Sequence, residues 1–288
     1  MSQFIWYNLL NIIILIHQIT IGCGVLNLLF WNLGKNNNDT YVADIVDEYQ
    51  IDVAIFAEYQ ETDFSTASQK LNSMYKRYNG FGGCDKVTLL SRNDVIVRRE
   101  QNRYTLYSFA FEGKTYVIAG VHLPANPHAD SDQRKNVIRD LIQDIGELER
   151  ELKTSNTIVI GDLNASPFDT ELIQKDAFNA VLYKELIKQA EYITINGKRY
   201  RRFYNPAINF ISEDAMNYGS LYYSAGMNTL YWLCFDQVLV RKSLADSVFE
   251  MKYCRSIKGK SLLKRLMPNK EISDHLPLLV KLERGSLT

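Results

Sequence analysis

Polar residues that can hold a metal ion or move a proton stand at the ends of apolar runs in this chain. They are Asn32, Glu58, His122, Asp162, Asn164, Asp236, Asp274 and His275. One strand-end carboxylate is most often a helix cap or a surface residue, and one histidine is usually structural. Several together carry more weight, because buried parallel or mixed strands bring their ends to one edge of a sheet, where open α/β folds bind ligands. The pattern predicts one shared site.

The apolar runs predict strands that alternate with helices. Residues 25–33 lack polar alternation, which is typical of a strand buried on both faces. Residues 42–49 place apolar side chains at helical spacing, with Asp39 or Thr40 as the N-cap. Further strands are predicted at residues 51–57, 86–91, 104–111, 115–122, 157–161, 232–240 and 276–282, and further helices at residues 65–78 and from Ser131 onward. No linker or repeat divides the chain, so one α/β domain is expected.

The composition limits the class of protein. The chain has 288 residues, and its 33 Lys and Arg balance 33 Asp and Glu. This balance excludes a globally basic binder, so any polyanion must meet a local basic patch. Apolar residues make up 46% and charged residues 23%, which excludes a disordered chain and a multi-span membrane protein. The cysteines form no CxxC pair and no zinc-finger spacing, so we expect free thiols in a reducing compartment.

Short motifs surround the polar residues. They are Phe30-Trp31-Asn32, Ala57-Glu58, Gly120-Val121-His122-Leu123, Gly161-Asp162-Leu163-Asn164, Phe235-Asp236-Gln237-Val238 and Ser273-Asp274-His275-Leu276-Pro277. In this order, over residues 25–282, the chain resembles the endonuclease/exonuclease/phosphatase superfamily. The resemblance implies an α/β fold, a four-layer α/β sandwich with two facing mixed β-sheets flanked by helices. It also implies a Mg²⁺-dependent phosphoesterase.

The resemblance implies a metal site built from oxygen ligands. Glu58 is the first choice of ligand, with Asn32 beside it, and Asp274 completes the shell or acts through water. Mg²⁺ prefers oxygen ligands and keeps several waters, so one or two carboxylates and the substrate phosphate are enough to hold it. We expect Mg²⁺ as the cofactor, with Mn²⁺ as the alternative.

The resemblance also implies roles in hydrolysis by an in-line water molecule. Asp162 orients and deprotonates the water, and Asn164 holds the phosphate or Asp162. His275 contacts the scissile phosphate, and Asp236 accepts the other ring N–H of this histidine, which fixes its tautomer and raises its pKa. His122 is the second donor on the phosphate side or the acid for the leaving oxygen.

The match departs from particular branches of the superfamily. Gly34 and Ala125 stand where some repair nucleases carry an acidic residue and an asparagine, so an abasic-site endonuclease is disfavoured. Asn164 is followed by Ala165-Ser166-Pro167 rather than by the Asn-Tyr-Arg run expected of an inositol phosphatase. This continuation is closer to that of generic bacterial members.

Two basic runs, residues 251–270 and 198–204, predict where the substrate binds. The predicted substrate-binding residues are Lys258, Lys260, Lys264, Arg265, Arg199 and Arg201. The simpler alternative is a solvated surface loop. A basic rim beside tyrosines suits a nucleic-acid backbone with stacked bases, and it also suits an anionic lipid surface.

Three functions are compatible with these residues. The leading hypothesis is a Mg²⁺-dependent nuclease, with DNA or RNA and internal or terminal cutting left open. The second is a phosphodiesterase or phosphatase that acts on a phospholipid or inositol phosphate. The third is a non-catalytic binding module, which is disfavoured because every expected polar position is filled. We expect a monomer, and the sequence indicates no protein partner.

The N-terminal segment contains no charged side chain from Met1 to Gly34. Asn8 and Asn11 interrupt its apolar run, whereas a membrane span needs about 20 apolar residues. A signal peptide needs a basic n-region, which is missing. Residues 1–24 are therefore interpreted as an extension that is a signal, an anchor or the result of a misplaced start, and residues 25–288 as the catalytic domain. The expected location is cytoplasmic, with secretion or membrane anchoring through residues 1–24 as the alternative.

Overall fold

The computed structural model describes residues 24–283, except residues 37, 60–64, 72–73, 80–83, 85, 126–130, 214 and 226–228. Apart from Gly24, the predicted N-terminal extension lies outside the described residues, and so does Cys23. Within the described ranges, no helix is long and apolar enough to cross a membrane. The cysteines there are buried and form no disulfide; they are Cys84, Cys234 and Cys254.

The strands are numbered in chain order. The first are β1 (Val25–Asn32), β2 (Val53–Ala57), β3 (Lys76–Tyr78), β4 (Val87–Ser91), β5 (Val95–Gln101), β6 (Tyr104–Phe111), β7 (Lys114–His122), β8 (Thr157–Asp162), β9 (Ala180–Val181), β10 (Tyr192–Ile195) and β11 (Lys198–Arg201). The remainder are β12 (Phe203–Tyr204), β13 (Leu221–Tyr222), β14 (Trp232–Leu233), β15 (Asp236–Val240), β16 (Val248–Tyr253), β17 (Ser256–Ile257), β18 (Lys260–Ser261), β19 (Leu263–Lys264), β20 (Met267–Pro268) and β21 (Leu278–Glu283).

The helices lie between these strands. They are α1 (Asp39–Glu48), α2 (Ser65–Lys70), α3 (Ser131–Leu152), α4 (Thr170–Ile173), α5 (Lys184–Gln189), α6 (Ala207–Phe210) and a 3₁₀ turn (Lys242–Leu244). The long helix α3 begins at Ser131, as predicted. The N-cap of α1 is Asn38 rather than Asp39 or Thr40, and Asp39 is instead the first helical residue, where its side chain is buried.

Two large mixed sheets pack face to face. The first has the order β16-β21-β1-β2-β4-β3 and the second the order β5-β6-β7-β8-β15-β12-β9. Across the interface, β1 contacts β8, and β2 contacts both β7 and β8. Apolar side chains from both sheets form one buried core there, including those of Phe30, Ile55, Ile118 and Ile160.

Helices cover the outer faces of the two sheets. Val117 and Val159 of the second sheet pack against Ile138 and Leu141 of α3 in a second core. Val117 and its neighbour Ile118 thus belong to different cores, which explains why β7 is apolar throughout and shows no alternation. Helix α1 packs its apolar side chains with the first sheet. The predicted four-layer α/β sandwich is confirmed.

The strands that carry the polar residues approach each other closely. A Cβ atom at Gly161 would lie 2.0 Å from the carbonyl oxygen of Val121, and one at Gly120 would lie 2.7 Å from a methyl carbon of Val87 in the facing sheet. Only glycine fits both the close strand pair β7–β8 and the narrow gap between the sheets. Gly161 directly precedes Asp162, and Gly120 lies two residues before His122.

Parts of the predicted secondary structure are wrong. Residues 65–78 do not form one helix, because α2 ends at Lys70 and β3 pairs with the edge of β4. Residues 232–240 form two strands: β14 pairs with β13, and after Cys234 and Phe235 the chain joins β8 as β15. Strand β5 was not predicted, since its Arg98, Arg99 and Glu100 mask the apolar pattern. It forms a sheet edge, where charged side chains reach solvent.

Candidate active site

The strand register brings the predicted polar residues to one edge of the sandwich. Asn32 ends β1 and lies opposite Ala57, the residue before Glu58. In the second sheet, His122 ends β7 and lies opposite Asp162 at the end of β8. Asp236 begins the antiparallel strand β15 and lies opposite Asp162 on its other side. The predicted convergence of strand ends on one edge is therefore present.

Asp236 and His275 form a buried pair. The distance between Asp236 Oδ2 and His275 Nδ1 is 2.7 Å, and Asp236 has no exposed surface. Burial lowers the pKa of His275, but the charge of Asp236 and its hydrogen bond outweigh burial and raise this pKa to about 10. The second ring nitrogen, Nε2, lies 3.9 Å from Asp162 Oδ2. At neutral pH His275 is thus a cation whose ring orientation is fixed.

Asp162 lies at the centre of the cluster. Its Oδ2 accepts a hydrogen bond of 3.1 Å from Asn32 Nδ2, and its Oδ1 accepts one of 3.0 Å from the backbone N–H of Asn164. Burial and the charge of Asp236 raise the pKa of Asp162, whereas the neighbouring histidines act in the opposite direction. The result is a buried carboxylate with raised proton affinity, a property suited to accepting a proton.

The backbone after β20 is held against β1. Ser273 Oγ donates to the carbonyl oxygen of Asn32 at 2.6 Å and accepts a hydrogen bond from the backbone N–H of His275 at 3.0 Å. The indole N–H of Trp31 donates to the carbonyl oxygen of His275 at 2.9 Å. These contacts fix the Ser273-Asp274-His275 segment relative to the end of β1. They explain why the motif places serine before the aspartate and histidine.

His122 faces the same cluster from β7. Its Nε2 lies 3.7 Å from Glu58 Oε1 and 3.9 Å from Asp162 Oδ2. Its Nδ1 is buried and has no hydrogen-bond partner in the described part of the chain. A proton on Nδ1 would therefore lack an acceptor, which assigns the ring N–H of the neutral form to Nε2. Burial lowers the pKa of His122, and the charge of Asp162 offsets this only in part. His122 is thus a neutral donor.

The oxygens of Glu58, Asn32 and Asp274 fit a hard cation. Glu58 has φ of 53°, and no described group donates a hydrogen bond to its carboxylate. Asn32 Oδ1 accepts one hydrogen bond, of 3.0 Å, from the backbone N–H of Gly34, which leaves a lone pair. Asp274 Oδ1 lies near Gly34, because a Cβ there would be 3.2 Å away. Free carboxylate and amide oxygens of this kind are the ligands that Mg²⁺ prefers.

A second group in the described chain has metal-binding residue types close together. Donor atoms of Asp162, Asp236 and His275 lie within 4.8 Å of one another. However, Asp236 already accepts the His275 N–H, and Asp162 already accepts two hydrogen bonds. The free oxygens of Glu58 and Asp274 are better suited to a cation, whereas the buried group is arranged for proton transfer and charge stabilisation.

A cavity of about 440 Å³ collects these side chains. Its lining is Asn32, Gly34, Asn36, Glu58, His122, Ala125, Asp162, Asn164, Leu221, Lys270, Asp274 and His275. Asp236 lies behind His275 and does not line it. The Asn164 side chain donates to the Leu123 carbonyl at 2.8 Å, so this residue is held in place at the cavity wall.

The first basic run divides into residues near the cavity and residues away from it. Lys258 pairs with Asp44 at 3.4 Å and Asp47 at 2.8 Å, both on α1. Lys260 is exposed in the β17–β18 hairpin. Lys264 and Arg265 instead line a neighbouring cleft, described below, that adjoins the cavity. The structure thus brings two of these predicted substrate-binding residues close to the site.

Arg199 and Arg201 do not line the catalytic cavity. They belong to the β10–β11 hairpin, and both flank a separate depression beside α3. Arg201 pairs with Glu149 and Glu191, and the buried Arg241 pairs with the same Glu149 at 2.8 Å. Arg201 thus belongs to a structural ion-pair network, and removal of one partner from such a network is destabilising. Substrate binding by Arg199 and Arg201 stays a prediction without support from this geometry.

Lys270 is a cavity residue that sequence reasoning did not place in the site. Its side chain is exposed, and no carboxylate lies within ion-pair distance of it among the described residues. Its neighbourhood is fixed by Asn36, whose Nδ2 donates to the carbonyl oxygens of Lys270 and Ile272 at 3.3 and 3.1 Å. The signal was its position at the end of the basic run, four residues before Asp274.

Comparison with known protein families confirms the family that the sequence motifs indicate. The model of the Endonuclease/Exonuclease/phosphatase family matches residues 27–275, which include all of the catalytic cavity. The chain belongs to this family. Its members are phosphoesterases and nucleases, hydrolases that act on ester bonds with the help of a divalent metal ion. The protein is therefore an enzyme of this class.

Solved structures show the same fold. Truncated TDP2 from Caenorhabditis elegans is 17% identical with a TM-score of 0.58, and the match covers 90% of this chain and 98% of that one. A Neisseria 3′ phosphatase, NExo, bound to a product DNA hairpin, is 13% identical with a TM-score of 0.53 over 89% and 99%. A family protein from Bacteroides thetaiotaomicron is 13% identical with a TM-score of 0.58 over 91% and 98%. No curated protein sequence matches this chain significantly.

Proposed function

We propose that the protein is a Mg²⁺-dependent nuclease that hydrolyses phosphodiester bonds by attack of water. The observation that carries the proposal is the buried row of Asp236, His275 and Asp162 at the wall of a cavity that also exposes the Glu58 carboxylate. This row supplies a proton acceptor and a fixed cation for phosphoryl oxygens, and Glu58 and Asp274 in the same cavity supply free oxygen ligands. A non-catalytic module would have no use for this arrangement.

Nucleic acid is the proposed substrate. The structurally similar NExo is described with a product DNA hairpin, and an endonuclease domain of the retrotransposon TRAS1 shares the fold at a TM-score of 0.52. Lys270 at the cavity, which has no ion-pair partner among the described residues, supplies a charge that a phosphate backbone can use. Hydrolysis of a phospholipid or inositol phosphate is the alternative, and the experiment below distinguishes it from nuclease activity.

The side chains divide the chemistry among them. Asp162 accepts a proton from water as the water oxygen bonds to phosphorus and the bond from phosphorus to the leaving oxygen breaks. His275, kept cationic by Asp236, donates to a phosphoryl oxygen as negative charge develops there. His122 donates through Nε2 as a neutral group, so of its two predicted roles the phosphate-side donor fits better than the acid. The leaving oxygen then takes its proton from solvent.

Glu58, Asn32 and Asp274 are the residues that would hold the metal ion. When bound, the ion neutralises charge on the phosphoryl oxygens and positions the phosphate. Asn32 would contribute to both metal binding and proton transfer, since its amide nitrogen orients Asp162 while its amide oxygen keeps a lone pair for the metal ion. The metal and the proton acceptor are therefore connected through one side chain.

A substrate panel tests the proposal. The purified protein is incubated with supercoiled plasmid, single-stranded DNA, RNA and a set of phosphoinositides, with Mg²⁺, with Mn²⁺ and with chelator. We expect cleavage of at least one nucleic acid in the presence of metal and none of the lipids. Turnover of phosphoinositides alone would replace the nuclease proposal with the lipid alternative.

A further inference from the structure

A second cleft opens beside the catalytic cavity. It has a volume of about 500 Å³, within the range of small-molecule sites. We call it the tyrosine cleft; the residues that define it are Tyr222, Tyr223, Lys264, Arg265, Lys270 and Asp274. Lys270 and Asp274 also line the catalytic cavity. A group in the cleft is therefore adjacent to a phosphate bound in the cavity.

The walls of the cleft are short hairpins attached to the catalytic segment. Strand β13, which pairs with β14, and the residues after it form one wall, strands β19 and β20 form the other, and β13 contacts β20. Leu221 of β13 forms a β-bridge with His275, and the backbone N–H of Leu276 donates to the carbonyl oxygen of Ser220 at 2.7 Å. The cleft is thus held in a fixed position relative to the catalytic histidine.

The cleft presents one fixed and one free aromatic ring. The ring of Tyr222 stacks on that of Tyr231 at 5.9 Å and meets that of Trp232 edge-on at 5.5 Å. Tyr223 is 54% exposed, and its ring contacts no other aromatic ring among the described residues. Because an exposed aromatic face gains from stacking on a flat ligand group, Tyr223 is the part of the wall available to a ligand.

The charge of the cleft favours an anion, because its lining carries the cations of Lys264, Arg265 and Lys270 against the carboxylates of Glu271 and Asp274. Lys264 is neutralised by Glu271, at 2.9 Å. Arg265 and Lys270 are exposed, and neither has a carboxylate within ion-pair distance in the part of the chain that the structure describes. An aromatic face beside unpaired cations is the combination with which proteins bind unpaired nucleotides, by stacking a base and contacting its phosphate.

We propose that the tyrosine cleft binds the unpaired nucleotide next to the scissile phosphate, with its base on Tyr223 and its phosphate near Arg265 and Lys270. A base in a duplex is already stacked and paired, so it cannot lie on Tyr223 without being extruded. The enzyme therefore prefers single-stranded or frayed substrates over intact duplex. The inference rests on the proposed nuclease function and adds the substrate class.

The test measures the effect of removing a base from the substrate and the effect of removing the Tyr223 ring from the enzyme, separately and together. The cleavage site of a single-stranded DNA oligonucleotide is first mapped, and the nucleotide on each side of it is then replaced in turn by an abasic tetrahydrofuran unit. The variants are Tyr223→Ala, Tyr223→Phe and, as the matched control, Tyr183→Ala, which removes a tyrosine that is 59% exposed and does not line the cleft. Thermal unfolding checks that each variant is folded.

We expect the wild-type enzyme to cleave the oligonucleotide about 10-fold more efficiently, in kcat/KM, than the abasic version with the relevant base removed. Tyr223→Ala should lose this preference, whereas Tyr223→Phe and Tyr183→Ala should keep it. The fluorescence of 2-aminopurine at the same position, measured with chelator present, should be quenched by the wild-type protein and not by Tyr223→Ala. The ratio of single-strand to duplex cleavage should fall in Tyr223→Ala alone.

The experiment distinguishes failure of the cleft proposal from failure of the proposed nuclease function. If the wild-type protein cleaves no nucleic acid, the proposed function fails and the cleft proposal fails with it. If it cleaves nucleic acid but Tyr223→Ala loses equal activity on the normal and abasic oligonucleotides, or loses none, only the cleft proposal is overturned.

Discussion

Asn32 in one sheet donates a hydrogen bond of 3.1 Å to Asp162 in the other. The bond joins the ends of β1 and β8 at the edge where the site lies. Because both side chains are buried, the bond forms in a low-dielectric environment and fixes the relative position of the sheets there. The site is thus built across the interface of the two sheets, and a change in either sheet alters its geometry.

Glu58→Gln should reduce kcat/KM by at least about 100-fold, since a bound metal ion contributes several kcal/mol of charge stabilisation. The substitution keeps the volume of the side chain and removes the negative charge of the main predicted ligand. The side chain is partly exposed, so the thermal midpoint should not change. Activity is measured over a Mg²⁺ titration, with the exposed Glu213→Gln as the control. Unchanged Mg²⁺ dependence in Glu58→Gln would remove Glu58 from the metal site.

Asp236 and His275 should act as one unit. In a Ser-His-Asp triad, loss of the orienting carboxylate costs up to about 10⁴-fold in kcat. We expect a smaller loss for Asp236→Asn, because Asn164 and the metal site remain, and a larger loss for His275→Ala. The double variant should lose little more than His275→Ala. The kcat values of the three variants are measured by steady-state kinetics. If the loss in the double variant equals the product of the two single losses, the residues do not work as a pair.

Lys270 and Lys258 should differ in their effect on salt dependence. Lys270 lines the cavity without an ion-pair partner among the described residues, whereas Lys258 is neutralised by Asp44 and Asp47. Lys270→Gln should raise KM and reduce the slope of log kcat/KM against log salt concentration by about one unit. Lys258→Gln should leave this slope unchanged. Equal slopes for the two variants would contradict the separation of the basic run into two parts.

The buried pair of Arg134 and Glu171 should make stability depend on acid pH. The distance between Arg134 Nη2 and Glu171 Oε1 is 2.6 Å. Burial raises the pKa of Glu171, but hydrogen bonds from Arg134, from the Glu171 backbone and from Ser131 and Thr170 together outweigh burial, so the pKa lies below its usual value. A lowered folded pKa stabilises the protein above the unfolded pKa, of about 4.3, and this contribution disappears as the pH falls through the folded pKa.

Glu171→Gln should therefore lower the thermal midpoint by about 5 °C at pH 7, with a smaller difference at pH 3. The control is Asp176→Asn, which breaks the pair with Arg139 on the same helix. Both side chains of that pair are 48% exposed, so the change should be near zero. If the loss of thermal midpoint in Glu171→Gln grows as the pH falls, the pKa of Glu171 is not lowered in the folded protein.

The sequence predicts the catalytic edge well because β1, β7 and β8 are buried on both faces. Such strands appear as continuous apolar runs, and their ends mark where the chain reaches the sheet edge. Asn32, His122 and Asp162 follow directly from that pattern. The contact between Asp236 and His275 was predicted only from the family resemblance, because no local sequence pattern links residues so far apart in the chain.

The sequence does not predict features that arise from packing of short hairpins. Lys258 and Lys264 belong to one basic run, yet the first pairs with α1 and the second lines the tyrosine cleft. Arg201 looks like a substrate contact, but the buried Glu149 holds it. Strand β3 was predicted as helix because its residues gain their strand structure only by pairing with β4. In each case a long-range contact decides the outcome.

The most direct test of the central claim is the rate of nucleic-acid cleavage by the wild-type protein and by Asp162→Asn, each with Mg²⁺ and with EDTA. Asp162→Asn keeps the shape of the side chain but removes the proton acceptor at the centre of the cluster. We predict turnover by the wild-type protein with Mg²⁺, none in EDTA, and a loss of at least about 100-fold in the variant with Mg²⁺. Full activity of the wild-type protein in EDTA, or of Asp162→Asn with Mg²⁺, would contradict the account.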